Sequence, residues 1–596
     1  MLVRIMAITV LLLQGAAASA QAAPLSVVSD PSARLAGIDP VIDQALRQWD
    51  VPGASVAVVA DGKVVLAKGY GVRDPRTRLP MNADTLLPTA SLTKAFTAVT
   101  IGTLADQRKI SFDAPVYTYL PHFRLSDPVS SQEITARDLL SHRSGLAGKN
   151  DYIYFRHPTM TAAGLLERLP FLALSGRPGR NYEYSNAAYV ILGQVIERAS
   201  GVPYERLVRR QLLEPLGMHR TTFSSAAAER DSNHAVGRWR WRGQDVHEFV
   251  PFTSIINPHG GIVSTANDMA KWMLMNLGGG SFEGRRIVNS STLAEIQKTQ
   301  IASPLDDGPG VVPLGYAMGW NSLVYRGEPT LLHTGGMQGW RTITILVPRK
   351  KAGVTLMINS DAGVTYPLAF QIIDRFFDGP PTDWMSLLKP PAAVPQGAQA
   401  APPPPGPASS HQPADFSGTF RHAGFGTFRV RRAGAALVGE YSGHSAPLVH
   451  RYHNVFGADP SAHTNPIVGR VQFHDDIEGR VSFLTFEPFG DSRFERQPDD
   501  RLTDPIYLRR LAGLYESDNV RFSITVSGDK LVYQRDDLEP AILVPTVEGD
   551  FLHPRGNGLR ISFQLPSSGP ASAMVRREVS GVTEIPRRAG PLPRER

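Results

Sequence analysis

Cysteine is absent from all 596 residues of this chain. No disulfide can staple it, no thiolate can attack a substrate or bind a metal, and no lipobox cysteine can carry a lipid. Long apolar runs are missing as well. The longest, Ile5 to Leu13, is too short to cross a bilayer, so no stable membrane span is expected. Blocks of like charge are also lacking. The net charge of +7 is thinly spread over this length, which argues against a nucleic-acid partner. No His/Asp/Glu spacing suggests a metal site, and no cofactor is expected. What remains is a globular composition, 42% hydrophobic and 20% charged, with enough length for two or three domains.

The first residues carry a processing pattern. Arg4 precedes the apolar run, and small residues follow from Gly15 to Ala23. Both Ala18-Ser19-Ala20 and Ala20-Gln21-Ala22 fit a small-x-small cleavage site. A removable signal peptide over residues 1–22 is the reading, and with it a bacterial protein that is periplasmic or secreted.

Composition then separates three regions. Residues 36–380 mix helical and strand patterns. Residues 381–413, rich in proline and alanine, read as a linker in extended polyproline conformation. Residues 414–596 alternate apolar and polar positions between turn residues, which indicates strands. A repeat lies within that last region. Phe416-Ser417-Gly418-Thr419-Phe420 resembles Leu511-Ala512-Gly513-Leu514-Tyr515, and Phe428, Val430, Gly434 and Leu437 match Phe522, Ile524, Gly528 and Leu531. Two β-rich domains, 414–500 and 505–596, each a small antiparallel barrel or half of one, would produce this pattern.

Within 36–380, Asp61-Gly62 between two β-rich runs predicts a tight hairpin. Leu92, Ala95, Phe96, Val99 and Leu104 fall on one face of a helix running to about Gln107. Thr135 to Asp138 reads as a capping box. Asn186 to Ala199 reads as a helix ended by Ser200-Gly201. Strands are expected over Thr342 to Val347 and Val354 to Ile358. The fold class is α+β, an antiparallel sheet with helices.

Three short elements carry chemistry. Ser91-Leu92-Thr93-Lys94 places a hydroxyl at a helix start, with an amine one turn on, over the same face. The hydroxyl needs a base, and the amine can act as one only if burial or a neighbouring cation lowers its pKa. Tyr184-Ser185-Asn186 offers a phenol to relay a proton, its phenolate stabilised by a nearby ammonium, and an amide to hold Lys94 and the substrate. His333-Thr334-Gly335-Gly336 precedes a strand pattern. There the N–H of Gly336 could complete an oxyanion hole with that of Ser91, while Thr334 and His333 could bind a substrate carboxylate. Each element alone reads equally well as a cap, a packed tyrosine or a glycine turn.

In this order and spacing they resemble the penicillin-recognising serine hydrolases, a family that includes class C β-lactamases, DD-peptidases, D-aminopeptidases and related esterases. Leu139-Leu140-Ser141-His142-Arg143-Ser144-Gly145-Leu146, Gly260-Gly261-Ile262-Val263-Ser264-Thr265 and Gly315-Tyr316-Ala317-Met318-Gly319-Trp320 support the resemblance, which spans roughly 36–380. It implies a β-lactamase/transpeptidase-like domain. In it Ser91, Lys94 and Tyr184 are catalytic, Ser91 and Gly336 form the oxyanion hole, and Asn186, His333, Thr334 and Gly335 bind substrate. Either Lys94 or Tyr184 is the base. His142 and His259, in the supporting segments, read as structural.

His333 stands where β-lactamases of this class carry lysine, so the resemblance points toward a peptidase or esterase. The implied function is an exported serine hydrolase forming a Ser91 acyl-enzyme with D-residue peptides or amides, then esters, then β-lactams. Alternatives are a β-lactamase, or a slowly turning-over protein that binds penicillin or cell-wall fragments. Some family members carry β-barrel domains that shape or shield the active site.

Overall fold

The computed structural model describes residues 30–588 except 156–158, 243, 250, 306–307, 389–405, 460–466, 518–519 and 537. The expected signal peptide lies outside the described residues.

Strand alternation buries both faces of one antiparallel sheet. In Gly53–Ala60, Val56 and Val58 point into one apolar cluster, and Ala57 and Val59 into another. Helices Ile38–Gln48 and Thr365–Ile373 cover the first face, and Ala266–Leu277 packs on the second. The sheet has eight strands in the order Val311–Tyr316, Asn321–Tyr325, Glu328–Met337, Trp340–Val347, Ala352–Ile358, Gly53–Ala60, Lys63–Asp74 and Leu79–Pro80. Pairing of Ala54 with Ile358 joins the two ends of the domain. Asp61 and Gly62 both adopt positive φ between the first hairpin's strands, as the Asp-Gly signal requires.

The helix after Ser91, Thr93–Asp106, differs from the one-faced reading. Every residue from Thr93 to Leu104 is buried. The helix runs through the middle of the domain, and its threonines are satisfied internally: Thr97 donates to Pro258 O at 2.6 Å and Thr100 to Phe96 O at 2.8 Å. Thr135 and Asp138 form the expected capping box. Gly201, at φ 69°, ends helix Asn186–Ser200.

Both ends of the 381–413 stretch, expected as a linker, pack against neighbouring structure. A turn of helix, Trp384–Leu387, packs back on the sheet domain. Trp384 is 1% exposed, lies 4.7 Å from the Phe370 ring and donates its indole N–H to Tyr325 OH at 3.0 Å. A large aromatic surface outweighs the flanking prolines. At the other end, Gly406 N–H donates to Arg451 O and His453 N–H to Pro407 O, so 406–413 belongs with the following β domain. The stretch that carries most of the prolines, 389–405, lies outside the described residues.

Two β units follow. Eight strands from Gly418–His422 to Arg493–Arg496 close into a barrel filled with phenylalanines. Nine strands between Gly513–Ser517 and Gly581–Arg588 form a second sheet around its own core. Among the described residues no helix is long and apolar enough to cross a membrane.

Candidate active site

Ser91 sits on a 3₁₀ turn, Ala90–Leu92, that leads into the central helix. Ala90 just before it has φ 49°, a left-handed conformation disfavoured for a residue with a Cβ. Surrounding bonds hold this strained turn. Thr89 N–H and its hydroxyl both donate to Ile262 O, at 2.8 and 3.0 Å, and Thr342 donates to Thr89 O at 2.9 Å. The 260–265 segment and the strand Trp340–Val347 thus grip the turn from two sides.

Lys94 is fully buried, with its amine in a ring of acceptors. Nζ lies 3.1 Å from Ser91 Oγ, 2.6 Å from Asn186 Oδ1 and 3.1 Å from His259 O. It sits 4.8 Å above the Tyr184 ring and 5.3 Å above that of Tyr189. Burial pulls its pKa down to about 7, against an opposing pull from Asp151. Burial thus favours the neutral amine over the ammonium.

Tyr184 OH donates to Ser91 Oγ at 3.0 Å. Burial pushes this phenol well above its ordinary pKa, so the resting residue is a proton donor and not the phenolate that a neighbouring ammonium would favour. His142 holds the tyrosine segment from both sides. Its carbonyl accepts from Glu183 N–H at 2.7 Å, its Nδ1 from Ser185 N–H at 3.2 Å, and its ring lies 4.1 Å from that of Tyr184.

Among the described residues, the strand Glu328–Met337 pairs with Asn321–Tyr325 only as far as Leu332 and has one edge without a strand partner from His333 onward. Gly335 lies against the nucleophile turn. A Cβ there would fall 2.3 Å from Thr342 Oγ1, 2.5 Å from Thr89 O and 3.0 Å from Ser91 N, so only glycine fits. Thr334 is exposed and Gly336 lies beside Arg341.

His333, expected to bind a substrate carboxylate, lies buried in the strand. It is 2% exposed, with both ring nitrogens engaged. Nδ1–H donates to Thr334 O at 2.7 Å, and Nε2 accepts from Tyr316 OH at 2.8 Å. Burial, with Lys94 nearby, lowers its pKa to about 3, so it brings no cation to a substrate carboxylate. Its two hydrogen bonds tie the ring to the strand and to Tyr316.

The structure therefore brings together Ser91, Lys94, Tyr184, Asn186, Thr334, Gly335 and Gly336, and sets His333 behind them. Sequence reading missed Asp151, whose carboxylate accepts from Asn186 and Ala187, and the acceptor role of the His259 carbonyl. A lone acid in a loop carries no spacing signal, and a backbone carbonyl carries no residue signal at all. Among the described residues no group of three or more His, Asp or Glu could hold a metal.

Unguisins hydrolase ungD of Aspergillus violaceofuscus is 27% identical over 424 residues, covering 65% of this chain and 75% of that protein. Protein flp of Staphylococcus aureus (strain MW2) is 25% identical over 54% of this chain and 62% of its own length. In fold, the octameric penicillin-binding protein homologue from Pyrococcus abyssi superposes with a TM-score of 0.50 and 24% identity, covering 76% of this chain and 98% of that one. The family model described as Beta-lactamase matches residues 38–373, more than half of the chain, and the chain belongs to that family of serine hydrolases.

Proposed function

We propose that this chain is an exported hydrolase that opens amide or peptide bonds, D-residue peptides first and esters second, through an acyl-enzyme on Ser91. The observation that carries the reading is the position of Ser91 Oγ, 3.1 Å from the Lys94 amine and 3.0 Å from the Tyr184 phenol. A neutral lysine has two N–H groups. Donated to Asn186 Oδ1 and His259 O, they leave the lone pair for the Ser91 hydroxyl proton. Lys94 is then the base of the resting enzyme.

Ser91 attacks the carbonyl as its proton passes to Lys94, and the N–H groups of Ser91 and Gly336 receive the oxyanion. Tyr184 gives its phenol proton to the leaving nitrogen. Acylation thus ends with an ammonium beside a phenolate, and their attraction offsets the burial of both. In deacylation the phenolate takes a proton from water, the hydroxide attacks the ester, and Lys94 returns its proton to Ser91. The ranking of substrates draws on the neutral, buried His333, which leaves β-lactams last, and on the likeness to the unguisins hydrolases.

Ser91→Ala should lower turnover of a D-Ala peptide or p-nitrophenyl ester by at least about 10³-fold and abolish labelling by a fluorophosphonate. In the wild type, kcat/KM should rise with pH through about 7, because the active form is the deprotonated amine. Full turnover by Ser91→Ala would end this account. Export rests on the first 22 residues. The mass of the chain recovered outside the cytoplasm should correspond to a start at Gln21 or Ala23, and an intact Met1 start would contradict it.

A further inference from the structure

Asp151 belongs to no motif, yet the site is built on it. It ends the 3₁₀ turn Gly148–Asp151 and is 6% exposed. One carboxylate oxygen accepts from Asn186 N–H at 2.8 Å and from Asn186 Nδ2 at 3.0 Å. The other accepts from Ala187 N–H at 2.8 Å. The carboxylate satisfies two of the free N–H groups that open helix Asn186–Ser200, a cap supplied from a distant turn. It also settles which way the Asn186 amide faces. With the NH₂ held by Asp151, only Oδ1 can face Lys94, which it meets at 2.6 Å. A flipped amide would set N–H against N–H.

We propose that Asp151 is a positioning residue for the acylation step, holding the Asn186 amide in the one orientation that aims the Lys94 lone pair at Ser91. This rests on the reading of Ser91 as nucleophile and Lys94 as base. It gives a loop acid that never meets substrate control over the nucleophile.

Charge supplies a readout that packing alone would not move. Lys94 is faced by Asp151 on the 3₁₀ turn, Tyr184 and Tyr189 on the helix and its approach, and His142, His259 and His333 on three further elements. The three histidines are held neutral by burial and the tyrosines are protonated at rest, so Asp151 is the anion of this set. Asp151 in turn faces Lys94, Tyr154 and Tyr184. Burial raises its own pKa to about 6, while the N–H groups of Asn186 and Ala187 and the Lys94 amine favour its charged form. Its charge favours the ammonium. Removing it lowers the Lys94 pKa and moves the acid limb of kcat/KM to lower pH.

The test compares Asp151→Asn and Asp151→Glu with the wild-type chain, by kcat, KM and fluorophosphonate labelling rate across pH. Asp151→Asn should lower kcat about 10- to 100-fold with KM little changed, as expected when a reacting group is misaligned, and should shift the acid limb downward. Asp151→Glu keeps the charge and should keep the limb in place while kcat falls. Wild-type kcat in Asp151→Asn, or a lower kcat with the limb unmoved, would overturn the proposal. Should Asp151→Asn fail to fold, wild-type kcat in Asp151→Glu would overturn it equally. Absence of any label on Ser91 in the wild type would instead sink the proposed function, so the two failures are distinguishable.

Discussion

In the barrel, Gly418 pairs with Val430 and Phe420 with Phe428. In the second β unit, Gly513 pairs with Ile524 and Tyr515 with Phe522. Each unit is closed by an arginine on its last strand. Arg496 donates to the carbonyls of Asp415, Ser417 and Val481. Arg587 donates to those of Arg510, Ala512 and Ala571. The glycine opposite leaves room for it: a Cβ on Gly513 would stand 2.8 Å from Arg587 Nε. The two units share this pairing and this clasp, although one is a closed eight-stranded barrel and the other a nine-stranded sheet.

Their surroundings differ. The barrel's phenylalanines belong to the same apolar cluster as the catalytic helices, while the second unit keeps a core to itself. The difference lies in the loops at the rim, one hairpin among them. Three residues, Ala423 to Phe425, separate the first two strands of the barrel, whereas two separate those of the second unit. Gly424 in the longer hairpin lies so close to the catalytic domain that a Cβ would fall 2.3 Å from Leu172 Cδ2, and its carbonyl accepts from Arg168 at 3.1 Å. Lys149 reaches Asp491 at 2.6 Å, and Arg242 pairs with Asp459. An ion pair from the barrel, Arg480 to Glu548 at 3.0 Å, reaches the second unit. A shared scaffold therefore does not set the docking partner; the loops at its rim do.

The clasp gives the largest test of this contrast. Arg496→Ala and Arg587→Ala each remove charged hydrogen bonds to half-buried backbone and should destabilise their own unit by about 2–4 kcal/mol. Hydrogen exchange resolved by peptide is the measurement, since a multidomain chain does not unfold in two states. Turnover separates the two variants. Loosening the docked barrel should lower activity, and loosening the second unit should leave it unchanged. Equal losses from both would erase the distinction.

How much of this was legible beforehand follows from the range of each signal. The Asp61-Gly62 turn, the Thr135 capping box and the Gly201 stop were readable because each depends on residues within a few positions. The repeat was readable because a β unit writes its pairing as spacing. Its two segments even align with offsets of 95 and 94 residues, which is the extra hairpin residue. Ser91, Lys94, Tyr184 and Asn186 were readable as types in order. Asp151 was not, because it meets Asn186 across 35 positions with no pattern between. His333 was identified, but its burial depends on Tyr316, whose hydroxyl only the folded sheet brings to its ring. Trp384 was hidden by prolines on both sides, since local composition says nothing about a surface waiting 14 residues upstream at Phe370.

The smallest effect probes whether docking reaches the chemistry. Lys149 precedes Asp151 by two positions on the turn Gly148–Asp151, so its bond to Asp491 ties the barrel to the segment that orients Asn186. Asp491 is 93% exposed on its side-chain surface. Such an exposed pair contributes little and weakens with salt. Lys149→Ala and Asp491→Asn should each lower kcat by about threefold or less, an effect that fades at high ionic strength, with the acid limb unmoved. The limb stays because Asp151 keeps its charge and its three N–H donors whether or not the ion pair forms. A limb that moved in Lys149→Ala as far as in Asp151→Asn would mean that the docked barrel sets the charge on Lys94. The barrel would then be part of the active site, and the two β units would differ in chemistry as well as in docking.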